Sequence, residues 1–193
     1  MTMTLIQKTK KKTETIVQLP QNPLAYEVLE LASKQRSRAK KVEVLKKYSH
    51  DSLKAIFIWN FDESIRSALP DGPVPYNTFE DTATQSGTLS DKINFAVDSL
   101  DRANSSSMNE ASGRIRSSLR KEWTKLYNFV KGGNDKLSGL RRETMFINIL
   151  ETLHPREAEI LILVKDKRLT EKYNINQEIV QEAYPDIKWG NRT

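Results

Sequence analysis

Apolar positions are densest between Leu137 and Lys167. Met145, Phe146, Ile147, Ile149, Leu150 and Leu153 crowd more than one narrow helical stripe, and Ile160 to Val164 are five apolar residues in a row. The pattern predicts two helices meeting at His154-Pro155, covered on several sides and central to the core. Taken alone, Ile160–Val164 also fits a buried strand. The Pro155-Arg156-Glu157-Ala158-Glu159 lead and the lysines at 165 and 167 favour helix, because carboxylates suit its positive N-terminus and cations its C-terminus.

The flanking pattern is also helical. Leu24, Val28 and Leu31 share one face behind Asn22-Pro23, where asparagine caps and proline occupies the first turn. This helix either breaks near Ser37 or runs on to Val42, Leu45 and Tyr48. Ser49-His50-Asp51 caps a further helix carrying Leu53, Ile56, Phe57, Trp59 and Phe61, and Leu69-Pro70 ends that element. Residues 69–76 form a turn and a proline-stiffened extended piece. Ser90–Leu100 is a short amphipathic helix inside 77–110, the interior region expected to be most mobile, with Asn104–Ser107 as its linker. Asn109–Lys131 reads as one long helix, with Ile115, Leu119, Trp123, Leu126, Tyr127 and Val130 on its apolar face. Gly132-Gly133 stops it, and Asn134 or Asp135 caps the next. Leu169–Val180 divides into two short helical pieces with Asn176 as a cap, and Pro185 closes them. The expected fold is mostly α, a multi-helix bundle of stacked hairpins over 22–187. A flexible basic arm (1–21) precedes it and a short tail (188–193) follows.

Charge divides the chain unevenly. Residues 1–48 hold 11 Lys/Arg against 4 Asp/Glu, whereas the whole chain carries 31 against 25. A basic first quarter on a nearly neutral body suits contact with a polyanion or an acidic protein face. The candidate residues are Lys8, Lys10, Lys11 and Lys12 in the arm and Lys34, Arg36, Arg38, Lys40 and Lys41 after it. A solvated helix face would leave the same pattern.

Motifs that would signal chemistry are missing. The sequence has no phosphate-binding glycine loop, no nucleophile elbow and no cysteine. His50 and His154 each stand at an expected helix start, a capping position, without metal-ligand spacing around them. No catalytic residue, cofactor or metal is therefore expected, and the protein reads as non-enzymatic. Leu169–Tyr184 faintly resembles a helix-turn-helix, but its second helix carries Glu178 and Glu182 and no Arg or Lys, poor chemistry for a major groove. No stretch reaches the ~18 apolar residues a bilayer span needs, and Leu5-Ile6 is too short for a signal peptide. A soluble protein of the cell interior is the expectation.

Several strings carry a family resemblance. They include Asn22-Pro23-Leu24, Ala39-Lys40-Lys41-Val42-Glu43-Val44-Leu45, Ile58-Trp59-Asn60-Phe61-Asp62 and Leu69-Pro70-Asp71-Gly72-Pro73-Val74-Pro75-Tyr76. Phe129-Val130-Lys131-Gly132-Gly133-Asn134, Arg141-Arg142-Glu143, Leu153-His154-Pro155, Lys165-Asp166-Lys167 and Glu182-Ala183-Tyr184-Pro185 continue it. The chain resembles an uncharacterised family of small proteins from tailed bacteriophages, notably T-even-type myophages of marine bacteria. The resemblance implies a helical phage protein made in the infected bacterial cytoplasm, and brings no activity, cofactor or catalytic residue. The expected function is an accessory adaptor in phage DNA metabolism or transcription, contacting nucleic acid or an acidic partner through the basic region. A virion or assembly component is the alternative. Arg141, Arg142 and Glu143 are further candidates for a phage or host protein partner.

Overall fold

The computed structural model describes residues 18–75, 87–102 and 115–191. Among these residues there are nine α-helices: α1 (Ala25–Ser33), α2 (Arg38–Lys47), α3 (Asp51–Phe61), α4 (Leu89–Arg102), α5 (Leu119–Glu122), α6 (Gly139–Thr152), α7 (Pro155–Lys165), α8 (Leu169–Lys172) and α9 (Gln177–Ala183). A 3₁₀ segment, Trp123–Phe129, continues directly from α5. The only pairing of strand type among the described residues is one antiparallel bridge, Ser67 with Val130. The mostly α expectation is met, and Ile160–Val164 is helical.

The organising helix is α7. Ala158, Ile160, Leu161 and Val164 are wholly buried, and the helix packs against α1, α3, α4, α6 and α8. An apolar run without a polar face suits a helix enclosed in this way. Helix α6 is covered less completely: Phe146, Ile147, Ile149 and Leu150 are buried, while Leu140 stays exposed. A second layer is formed where α2 lies against α1 and α9.

Local chemistry sets most boundaries. Chain direction changes at Ser37, whose side chain accepts the Lys40 amide and starts α2. His50 and His154 cap α3 and α7 by accepting the amides of Ser52 and Arg156 on Nδ1, and Asn176 caps α9. Two expected caps differ. Helix α1 begins after Leu24, not Asn22, because the Glu27 carboxylate accepts the Leu24 amide at 2.7 Å. Helix α6 begins after Ser138, not at Asn134 or Asp135.

The long helix expected over 109–131 is replaced by α5 and the 3₁₀ segment, with 109–114 outside the described residues. The amides of Arg116 and Ser117 both donate to the Thr152 carbonyl, so the chain is pinned just before α5. Beyond it, Leu126 and Phe129 point inward at the three-residue period of a 3₁₀ turn, which leaves Tyr127 exposed. Close packing of Gly133 on this turn ends it: a Cβ there would lie 1.9 Å from the Tyr127 carbonyl oxygen. Gly139, the first residue of α6, is open by contrast, and a Cβ added to it would meet nothing within 4 Å. Gly139→Ala should therefore raise stability by about 0.5 kcal/mol through the unfolded chain, whereas Gly133→Ala should lower it; urea midpoints of the two variants check the opposite signs.

Residues 1–17 of the expected arm and 192–193 of the expected tail lie outside the described residues, and the described flanks are anchored. The Leu19 amide donates to the Tyr48 hydroxyl at 3.0 Å, and the Gly190 amide donates to the buried Asp62 carboxylate at 2.9 Å. Within 77–110, α4 packs on α7 through Leu89, Ile93 and Val97, while 76–86 and 103–114 lie outside the described residues. No helix among the described residues is long and apolar enough to cross a membrane.

Candidate partner-binding surfaces

The basic region divides into cations that hold the fold and cations that face solvent. Lys41 is buried, and its ammonium donates to the Asn174 carbonyl at 2.6 Å, joining α2 to the turn before α9. Arg38 reaches across to α9, with Glu178 at 2.9 Å and Glu182 at 2.8 Å. The two acids that made α9 a poor groove reader thus serve α2 from within the molecule. Lys34 stands 3.6 Å from Glu30, one turn back on α1, and both Lys34 and Arg36 are exposed. Lys40 is half-buried, while Lys46 and Lys47 are exposed at the end of α2, Lys47 lying 5.2 Å from the centre of the Tyr48 ring. Lys8, Lys10, Lys11 and Lys12 lie outside the described residues. Lys46 and Lys47 belong to the outward set and close the basic stretch that runs from Lys34 to Lys47.

Arg141, Arg142 and Glu143 go three separate ways, since successive helix positions face different directions. Arg142 points at the 3₁₀ segment and its exit, donating to the carbonyls of Asn128 (2.8 Å), Asn134 (2.8 Å) and Leu137 (3.1 Å). Glu143 lines a water-sized cavity of about 30 Å³ with Pro70, Pro73 and Phe146. Arg141 is exposed and faces an open groove of about 820 Å³ between α5, the 3₁₀ segment and α6. Leu140, Met145 and Ile149 form its apolar floor, and Arg116 and Lys125 join Arg141 around it. Among the described residues Glu122 is the only carboxylate lining it, and it accepts from Lys125 at 2.6 Å and from Ser117 at 2.5 Å.

Buried polar groups concentrate at the start of α7. Glu157 has no exposed surface. One of its oxygens accepts the Ala25 amide at the start of α1 and the other the Leu119 amide at the start of α5, both at 3.0 Å. Glu157 stands in the first turn of its own helix as expected, and it also serves the starts of two others. Burial pushes its carboxyl above the usual range, and the two amide donors pull it part of the way back. Nearby, Arg120 donates to the Pro23 carbonyl at 3.0 Å, closing the same joint. His154 is buried against Tyr26, with ring centroids 4.7 Å apart and planes inclined by 16°. Burial and the neighbouring Arg156 push its pKa down to about 4, so it caps α7 as a neutral ring. Both histidines and Glu157 are therefore engaged in holding helix ends. Among the described residues there is no group of three or more His, Asp or Glu side chains that could hold a metal ion.

The chain is a mostly α-helical protein built around one enclosed helix, with exposed cations at both ends of α2 and a mixed cationic and apolar groove beside α6. It belongs to a protein family of unknown function (DUF6433), whose pattern matches residues 28–96 and 101–171, more than half of the chain. Among curated proteins and among solved structures, none matches it.

Proposed function

We propose that the protein is a non-enzymatic accessory adaptor, made in a phage-infected bacterium and acting in phage DNA metabolism or transcription. It contacts nucleic acid, or an acidic face of a protein, through its basic N-terminal region. The phage setting rests on the sequence resemblance. The observation that carries the binding role is the division of cations. With Arg38 and Lys41 committed to α9 and the turn before it, Arg36, Lys46 and Lys47 remain exposed, and the sequence before α1 adds Lys8, Lys10, Lys11 and Lys12. The non-enzymatic reading draws on the structural engagement of His50, His154 and Glu157 at helix ends.

Fluorescence anisotropy with single-stranded DNA, duplex DNA and RNA tests this reading. Affinity should fall linearly in log–log form as salt rises. Removing residues 1–17 and changing Arg36, Lys46 and Lys47 to Gln should weaken binding by roughly tenfold or more, because a protein that neutralises fewer phosphates releases fewer counterions. Deletion to residue 17 spares the Leu19 anchor, and Lys41 is left intact because it is buried. Unchanged binding by that variant would sink the nucleic-acid role; retention of an acidic protein in its place would move the contact to that partner. The alternative, a virion or assembly component, draws on the exposed Phe95, Tyr127 and Leu140. Stoichiometric presence in purified particles would favour it.

A further inference from the structure

The groove beside α6 is a second surface, distinct in residues and in chemistry from the exposed cations at the ends of α2. Its floor is apolar, with Leu140 63% exposed and Met145 and Ile149 behind it. Its charge is one-sided. Among the described residues Arg116, Lys125 and Arg141 line it against a single carboxylate, Glu122, which already accepts from Lys125 and Ser117. An exposed leucine among cations has no evident use in the fold, since its neighbours in α6 already supply the buried face.

The groove wall is also held in place before anything binds. Arg142 ties the first turn of α6 to three carbonyls of the 3₁₀ segment and its exit. Ser138 caps the same turn by accepting the Arg141 amide, and the amides of Arg116 and Ser117 are fixed to Thr152. Leu140 and Arg141 are thereby presented from a rigid turn, which reduces the ordering cost of binding. Arginine and methionine are both enriched at protein–protein interfaces, and Arg141 and Met145 both line the groove.

From this geometry we propose that the α6 groove docks an acidic, amphipathic helical segment of a protein partner. Large apolar side chains of that segment lie on Leu140, Met145 and Ile149, and its carboxylates meet Arg141 and Arg116. A helix of about three turns matches α6, which at ~1.5 Å per residue offers one continuous wall from Leu140 to Thr152. Nucleic acid is disfavoured here because the floor is aliphatic, with no aromatic platform for bases among the groove-lining residues.

Panning the full chain against a random library of peptides about three helical turns long tests the proposal without naming a partner in advance. Enriched peptides should combine Asp or Glu with large apolar residues. Labelled copies should lose at least about tenfold in affinity, or 1.4 kcal/mol, on Arg141→Glu and again on Leu140→Ser. Both sites are exposed, and a thermal melt equal to that of the wild type confirms that the fold is retained. Changing Arg36, Lys46 and Lys47 to Gln should leave peptide binding intact, so failure here and failure of the α2 reading are separable. Enrichment of basic or neutral peptides, enrichment of none, or indifference to Arg141→Glu would each overturn the proposal. So would sedimentation showing self-association abolished by Leu140→Ser, which would assign the groove to a second copy of the chain.

Discussion

Glu157→Ala should lower the unfolding free energy by about 4 kcal/mol and Glu157→Gln by about 2 kcal/mol. The carboxylate has no exposed surface and divides its two oxygens between the first amides of α1 and α5. Alanine leaves both amides buried without an acceptor and opens a void beside α7, and each unsatisfied donor costs about 1–3 kcal/mol. Glutamine keeps one acceptor but turns an N–H group toward the second amide, so one donor faces another. Its cost is smaller for a further reason: the raised carboxyl pKa reports a desolvation penalty for the ionised group, and a neutral amide does not bear it. Urea unfolding followed by helical circular dichroism would give both values, with the slope against urea unchanged if only the folded state is affected. A glutamine variant as stable as the wild type would mean that the two helix starts do not depend on the carboxylate.

The joint at Glu157 also explains which parts of the fold were legible in the sequence. Helix existence followed from local pattern: α3, α4, α6, α7, α8 and α9 lie close to where apolar spacing and caps put them. Ser37, His50, His154 and Asn176 all act as caps, because a cap is a local hydrogen bond between near neighbours. The failures were long-range. Nothing near Leu119 announces that its amide is satisfied by a residue 38 positions away, or that Thr152 holds the amides of Arg116 and Ser117. A helical period drawn through Trp123 and Tyr127 was therefore misleading, and tertiary clamps at both ends selected a 3₁₀ turn instead. The charged candidates divided on the same principle. Sequence could mark Arg38, Lys41 and Arg142 as cations, but only the partners at Glu178, Asn174 and Asn128 show that they hold the fold. Arg141 and the Lys46–Lys47 pair look no different in sequence, yet they face solvent.

Acidification from pH 7 to pH 5 should cost the protein about 2 kcal/mol through His154 alone, since a group held near pKa 4 when folded titrates near 6.5 when unfolded. The sign follows from proton counts. Between those two values the unfolded chain binds the proton and the folded chain does not, so stability is complete above 6.5 and falls as pH drops toward 4. Three features set the folded value. The ring is buried against Tyr26, Arg156 stands close by, and Nδ1 accepts the Arg156 amide as the cap of α7. Protonation converts that acceptor into a donor facing another donor, and places a cation at the positive end of a helix. His50 has the same sign for the same reason, with its pKa lowered chiefly by burial. Glu157 opposes both: its raised pKa favours the folded state as pH falls from its folded value toward the ordinary carboxylate value. The contribution of His154 is therefore read by difference. His154→Asn keeps a capping oxygen but loses the stacked ring, so it should cost about 1 kcal/mol at pH 7. Its stability should then decline less than that of the wild type as pH is lowered, and the two should converge or cross near pH 5–6, where the neutral asparagine no longer competes with a ring that must stay unprotonated. Parallel stability curves for the two proteins across pH 7 to 5 would show that His154 titrates normally in the folded state, and that the cap of α7 does not depend on a neutral ring.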